Sequence, residues 1–248
     1  MVIIMGKIIL FVSLLFVFFK RGDICASIGK LFYARGKTER SLKWFELGKK
    51  MGGMSFDHQL LYAYLTLKEG DIENASKMFV LLLMEKPKPE QKIRLKSSYA
   101  LVLWKRKEVN EAIEMLEEVV QKAPSTAVYG SLGYMYAYNR DLEKALEFNL
   151  EAYDYNNTNP IIVDNLAFTY LQMGDDEKAK EYYEKLFELD PKFPEGYFEY
   201  GKLLIKMGDK KTGEEYIKKA LEKEFSFLSM ITRQDIILYL EQLGEENE

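Results

Sequence analysis

The sequence predicts an all-α chain, a solenoid of antiparallel helix pairs preceded by one transmembrane helix. Three observations predict it. Pairs of small residues twelve positions apart recur at intervals of 33 to 37 residues. An uncharged run of twelve residues, 8–19, lies near the amino terminus. The 248 residues are 48% hydrophobic and 30% charged, enough apolar material for a buried core, which excludes wholesale disorder. A single cysteine excludes an intramolecular disulfide framework. One cysteine and one histidine also leave no zinc site of the usual ligand types, so no metal and no cofactor is expected. A net charge of -4 speaks against a general nucleic-acid binder.

The first element is residues 1–21, read as a membrane anchor. Nineteen residues from Met1 contain one charge, Lys7. As a helix they would span roughly 28 Å, close to the ~30 Å hydrocarbon core. Lys20 and Arg21 close the segment. A cleaved export signal is the competing reading, but no small-x-small cleavage site follows the apolar run. Residues 1–50 hold ten Lys and Arg against three acids, net +7, leaving net -11 in the other 198 residues. Lys20, Arg21, Lys30, Arg35, Lys37 and Arg40 follow the apolar segment, so the positive-inside rule places the body in the cytoplasm.

The body, residues 22–227, divides into six repeats: 22–55, 56–89, 93–125, 126–159, 160–193 and 194–227. The small pairs are Gly29 and Ser41, Ala63 and Ala75, Ala100 and Ala112, Gly133 and Ala145, Ala167 and Ala179, and Gly201 and Gly213. Two antiparallel helices approach closely only where neither carries bulk. Seven residues after the first small site stand Gly36, Gly70, Gly174 and Gly208, suited to a left-handed helix end. Lys107 and Arg140 replace glycine there, so different turns are expected at those two sites. Asp71, Asp141, Asp175 and Asp209 are placed to start the following helices. Asn149 departs from the bulky type expected four residues after the second small site. Residues 90–92 read as an insertion in a loop that begins at Lys86. Residues 228–248 read as a capping helix with a frayed tail, begun by a capping-box-like Thr232 and Asp235.

Tyr129-x-x-Leu132-Gly133-x-x-Tyr136 with Ala145 and Ala152, and Val163-x-x-Leu166-Ala167-x-x-Tyr170 with Gly174, Ala179, Tyr183 and Pro191, resemble the tetratricopeptide repeat (TPR) family. The resemblance implies a right-handed superhelix whose first helices line a concave wall that holds a protein or extended peptide. Mapped onto this chain, the family's inward positions give an aromatic row of Tyr64, Trp104, Tyr134, Phe168 and Phe198, accompanied by Lys105, Tyr138, Asp164 and Lys202. Tyrosine and tryptophan offer large amphipathic area at low entropic cost, so they anchor partners well. Some of these rings are also of the type that packs between neighbouring repeats. The paired Lys and Asn by which chaperone-tail-binding members hold a carboxylate are missing: the corresponding pairs are Ala26 and Lys30, Leu60 and Tyr64, and Ser97 and Leu101.

Motifs of chemistry are absent. There is no phosphate loop, nucleophile elbow or zinc-protease helix. His58 reads as a surface or cap residue and Cys25 as a small semi-buried one. The function expected is a membrane-anchored, non-enzymatic scaffold that binds a protein or peptide, with no nucleic acid and no small-molecule substrate. The alternative is an exported cell-envelope repeat protein acting in envelope assembly.

Overall fold

The computed structural model describes residues 2–245, and the side chains of residue 5 and of residues 18–244. The described residues form thirteen α-helices and no strand. They divide into two compact units, residues 1–102 and 103–248.

The first unit contains α1 (Val2–Ala34), α2 (Thr38–Met51), α3 (Phe56–Lys68), α4 (Ile72–Met84) and most of α5 (Pro89–Lys105). Helix α1 packs on α2 and also touches α3, and α3 packs on α4. Ala63 and Ala75 are fully buried, as small residues between the packed helices α3 and α4 must be, and Ala100 of α5 is fully buried as well. At Gly29 a Cβ would stand 2.9 Å from the Phe45 ring and 3.0 Å from the Ser41 carbonyl, so glycine sets the spacing of α1 and α2. Helices α1 and α3 are tied through Asp23, whose Oδ1 accepts from the Ser55 amide at 2.6 Å and lies 2.7 Å from His58 Nδ1. His58 is thus a joint between helices. Cys25 is buried, with Sγ 3.7 Å from the Met51 sulfur.

The expected membrane anchor is corrected. Among the described residues no helix is long and apolar enough to cross a membrane, so a single-pass placement with a cytoplasmic repeat domain is not supported. The uncharged run of twelve residues covers only about 18 Å of helix, well short of a ~30 Å core. Beyond it α1 continues without a break to Ala34 and joins the first helix pair. Arg21 donates to the Met51 carbonyl at 2.7 Å, and Lys20 pairs with Asp23 at 3.3 Å. These charges serve helix packing. The side chains of residues 6–17 lie outside the described residues.

The second unit contains the end of α5, then α6 (Val109–Lys122), α7 (Thr126–Tyr138), α8 (Leu142–Tyr155), α9 (Pro160–Met173), α10 (Asp176–Glu188), α11 (Glu195–Lys206), α12 (Lys210–Ala220) and α13 (Arg233–Glu245). Each helix packs on its successor from α6 to α12, and α7 touches α9 as α9 touches α11. Consecutive first helices therefore stand side by side. The core runs through Leu166, Ala167, Ala179, Tyr183 and Leu186. Helix α13 covers the end through Ile236 and Leu243, packed with Phe198 and Ile217. It starts with a reciprocal cap: the Thr232 amide donates to Asp235 Oδ2 at 2.7 Å, and the Asp235 amide to Thr232 Oγ1 at 3.2 Å. Residues 246–248 of the expected frayed tail lie outside the described residues.

Two local expectations differ from the structure. Residues 90–92 lie in the first turn of α5, not in a loop. Proline suits a first helical position, and the Gln91 side chain accepts from the Lys88 amide at 3.1 Å, closing the helix start. Lys107 (φ 67°) and Arg140 (φ 61°) adopt the same left-handed region as Gly36, Gly70, Gly174 and Gly208. The turn at Lys107 has the same double bond pattern as the glycine turns: Lys107 N to Trp104 O, and Glu108 N to Leu103 O. The helix-end geometry is kept, and the side chains bear its steric cost.

Candidate functional site

The exposed face of the second unit is built by the end of α5 and by α7, α9 and α11. Trp104 closes α5. Its indole meets Tyr138 edge-on, centroids 4.7 Å apart, and Tyr134 edge-on at 5.9 Å. Tyr134 stacks on Phe168 of α9 at 5.7 Å and 18°. Three consecutive first helices thus contribute to one aromatic cluster, and Tyr138 is 43% exposed. Beyond it on α11, Lys202 sits over the Phe198 ring at 5.0 Å and pairs with Glu199 at 2.9 Å.

Beneath the rings lies a buried acid. Asp164 is only 7% exposed. Gly196 of α11 makes room for it: a Cβ there would stand 2.9 Å from Asp164 Oδ1. Burial, reinforced by the charges of Glu195 and Glu199, pushes the Asp164 carboxyl well above the usual carboxylate range. The same acids and burial raise Tyr134 above the ordinary phenol value, with burial the larger cause. Tyr183 of α10 is fully buried, and its hydroxyl has no hydrogen-bond partner among the described residues. Burial pushes Lys105 down, aided by Lys107 and opposed by Glu195.

A second buried polar set fixes the helices that carry the rings. Asn149 of α8 donates to the Gly133 carbonyl at 3.2 Å and to Thr169 Oγ1 at 2.9 Å. Asn165 donates to the Gly130 carbonyl at 2.7 Å. Helices α7, α8 and α9 are thereby locked by two side-chain bonds to backbone and one to the Thr169 hydroxyl, and this is why asparagine stands where bulk was expected.

The nine residues singled out in the sequence fall into three groups. Tyr134, Tyr138, Phe168, Asp164 and Lys202 stand on α7, α9 and α11 as just described. Tyr64 belongs to the first unit, half-buried next to Tyr33 and Lys68, whose Nζ lies 5.8 Å from the Tyr33 ring centroid. Trp104, Lys105 and Phe198 are covered by the chain's own carboxyl-terminal region. Phe198 is buried against Tyr239 of α13. Trp104 Nε1 lies 3.2 Å from the Met230 sulfur, and Lys105 Nζ donates to the Ser229 carbonyl at 3.1 Å. Sequence reasoning missed the segment 225–232 as an occupant of this face. The signal was Ser226 and Ser229, residues that brace a turn and interrupt the helical pattern. Among the described residues no His, Cys, Asp and Glu group is arranged to hold a metal ion.

Comparison with known proteins agrees with this architecture. Residues 163–193 and 194–222 match a family model described as tetratricopeptide repeat. No curated protein sequence matches the chain. Among solved structures, a tetratricopeptide repeat protein from Parabacteroides merdae is similar with a TM-score of 0.73 at 15% identity, over 90% of this chain and 84% of that one. Pseudomonas aeruginosa pilF is similar with a TM-score of 0.61 at 18% identity, over 80% and 89%. MamA from Desulfovibrio magneticus is similar with a TM-score of 0.55 at 24% identity, over 68% and 94%. At such identities the likeness is one of fold. The chain carries tetratricopeptide repeats on an all-α, TPR-like solenoid scaffold.

Proposed function

We propose that the chain is a protein-interaction scaffold whose second unit binds a peptide segment of a partner, by recognition and not by catalysis. The observation that carries this reading is the aromatic cluster of Trp104, Tyr134, Tyr138 and Phe168, drawn from three consecutive first helices. Rings held by helix packing and by the Asn149 and Asn165 bonds lose little entropy on binding. Lys105 and Lys202 flank the cluster with charge, which sets orientation and on-rate more than affinity. Tyr64, in the first unit, is proposed as a partner contact of that unit.

The test is selection from a random peptide library on the immobilised full chain, followed by measurement of the selected peptides on Tyr138→Ala with Lys202→Ala. Alanine at an exposed ring and a partly exposed lysine should leave the thermal midpoint within about 2 °C. Affinity should fall at least tenfold, about 1.4 kcal/mol. Selected peptides that bind wild type and variant alike would refute the assignment of this face.

A further inference from the structure

Between α12 and α13 the chain leaves the solenoid and crosses the face just described. Residues 226–229 form a turn closed by the Ser229 amide on the Ser226 carbonyl at 3.0 Å. Both serine side chains brace it: the Ser226 amide donates to Ser229 Oγ at 3.1 Å, and the Leu228 amide to Ser226 Oγ at 3.2 Å. The turn is therefore self-supporting and owes its shape to its own residues. It presents Phe227 and Met230 to the face. The Lys105 ammonium sits 4.8 Å from the Phe227 ring centroid and donates to the Ser229 carbonyl. Trp104 Nε1 meets the Met230 sulfur at 3.2 Å. Across the face, Glu195 of α11 accepts from the Met230 amide at 2.9 Å.

These contacts have the form of peptide recognition. A lysine takes a main-chain carbonyl, a glutamate takes a main-chain amide, and an indole takes a long apolar side chain. All three groups stand on the face described above, Trp104 and Lys105 at the end of α5 and Glu195 at the start of α11. The segment itself is lightly held. Every residue from 225 to 231 is only partly buried, whereas Ile236 of α13 is fully buried. The firm carboxyl-terminal cap is thus α13, and residues 226–230 are a separate, shallower contact.

We propose that residues 226–230 are an internal ligand of the second unit, and that its partner is a peptide turn carrying an aromatic residue three positions before a methionine or similar long apolar residue. This deepens the proposed function and rests on it. The internal segment lies on Trp104, Lys105 and Glu195 until a partner of the same pattern displaces it. Covalent connection gives the segment a high local concentration, so even a weak contact competes with a free peptide. A segment seated four-fifths of the time lowers the apparent affinity of a competitor about fivefold.

The experiment uses the full chain with Trp44→Phe, which leaves Trp104 as the single tryptophan. A synthetic peptide of residues 224–232 is titrated against this protein and against Phe227→Ala with Met230→Ala, with Trp104 emission as readout. Emission of the free variant should shift to the red, because the indole, 6% exposed in the closed form, becomes wet. The peptide should bind the variant at least about fivefold more tightly than the parent. A peptide with alanine at both key positions should not bind. If the double variant misfolds by far-ultraviolet circular dichroism, Ser226→Ala with Ser229→Ala removes the braces that preorganise the turn and so weakens its seating on the face, and a red shift and tighter peptide binding are required of it too. Unchanged emission and no peptide binding in a folded variant would overturn the internal ligand, as would equal affinity for parent and variant. In that event, library peptides that still depend on Tyr138 and Lys202 would leave the broader reading standing. Loss of both results would remove it.

Discussion

Asp164 couples folding of the second unit to protons. Its carboxyl is buried, and the carboxylates of Glu195 and Glu199 face it. Its folded-state pKa lies above the unfolded value of about 3.9. In the window above that value the folded chain holds a proton that the unfolded chain has released. Stability therefore falls as pH rises from about 4 through the folded-state pKa, and levels off beyond it. Asp164→Asn keeps the shape and removes the ionisation. It should stabilise the chain by about 1 kcal/mol or more at pH 7.5, with a smaller gain at pH 5. Urea midpoints at the two pH values measure this, and parallel profiles for the two proteins would count against it. The sequence marks Asp164 as inward-facing. It does not reveal that the acid is buried, because that follows from Gly196 one repeat later giving the carboxyl room. Asn149 is the same kind of case: its partners Gly133 and Thr169 lie sixteen and twenty residues away. A linear pattern registers such a residue only as a departure.

The helix ends were the most legible elements. Small residues at fixed spacing mark where paired helices touch, and glycine marks four of the left-handed ends. Each of these signals acts within one helix pair, so it is local in sequence. Lys107 and Arg140 show that position, and not residue type, sets the turn: neighbouring packing forces the same dihedral on residues that disfavour it. A left-handed residue with a Cβ costs roughly 1–2 kcal/mol, and the greater freedom of glycine in the unfolded chain offsets part of that. Lys107→Gly and Arg140→Gly should therefore each stabilise by about 0.5–1 kcal/mol, raising the thermal midpoint by about 1–4 °C. Arg140→Gly is the cleaner measurement, because Lys107 also contributes to the field at Lys105. A midpoint that falls on either change would show that the side chain contributes a contact worth more than the strain. The first element was the least legible. Its apolar run has the composition of a membrane segment, but α1 continues through Arg21 and Asp23 into contacts made by residues about 30 positions later. Only tertiary contact reveals that these charges are packing groups. The crossing segment 225–232 escaped the reading for a related reason, since its contacts with Trp104 and Lys105 span more than 120 residues.

At the scale of the whole molecule, the repeat register is what the sequence carries most fully, because each repeat needs only its neighbours to bury its face. The proposed partner-facing surface is carried least fully, since recognition of a second molecule imposes no period on the sequence. The same locality makes a prediction about energetics. Ala63 and Ala75 stand at one helix pair, and Ala167 and Ala179 at another about a hundred residues on; all are fully buried. Replacing Ala63 or Ala167 by Val forces methyl groups into a close helix crossing, and each should destabilise by about 1–3 kcal/mol. Sites that share no neighbour add, so the double variant should lose the sum of the two within about 0.5 kcal/mol. By contrast, Ala167→Val with Ala179→Val, at the two sides of one crossing, should depart from additivity by about 0.5 kcal/mol or more. Urea unfolding of the single and double variants provides both numbers. Full additivity within the pair, or strong coupling between the distant sites, would contradict a scaffold whose stability is assembled from neighbour to neighbour.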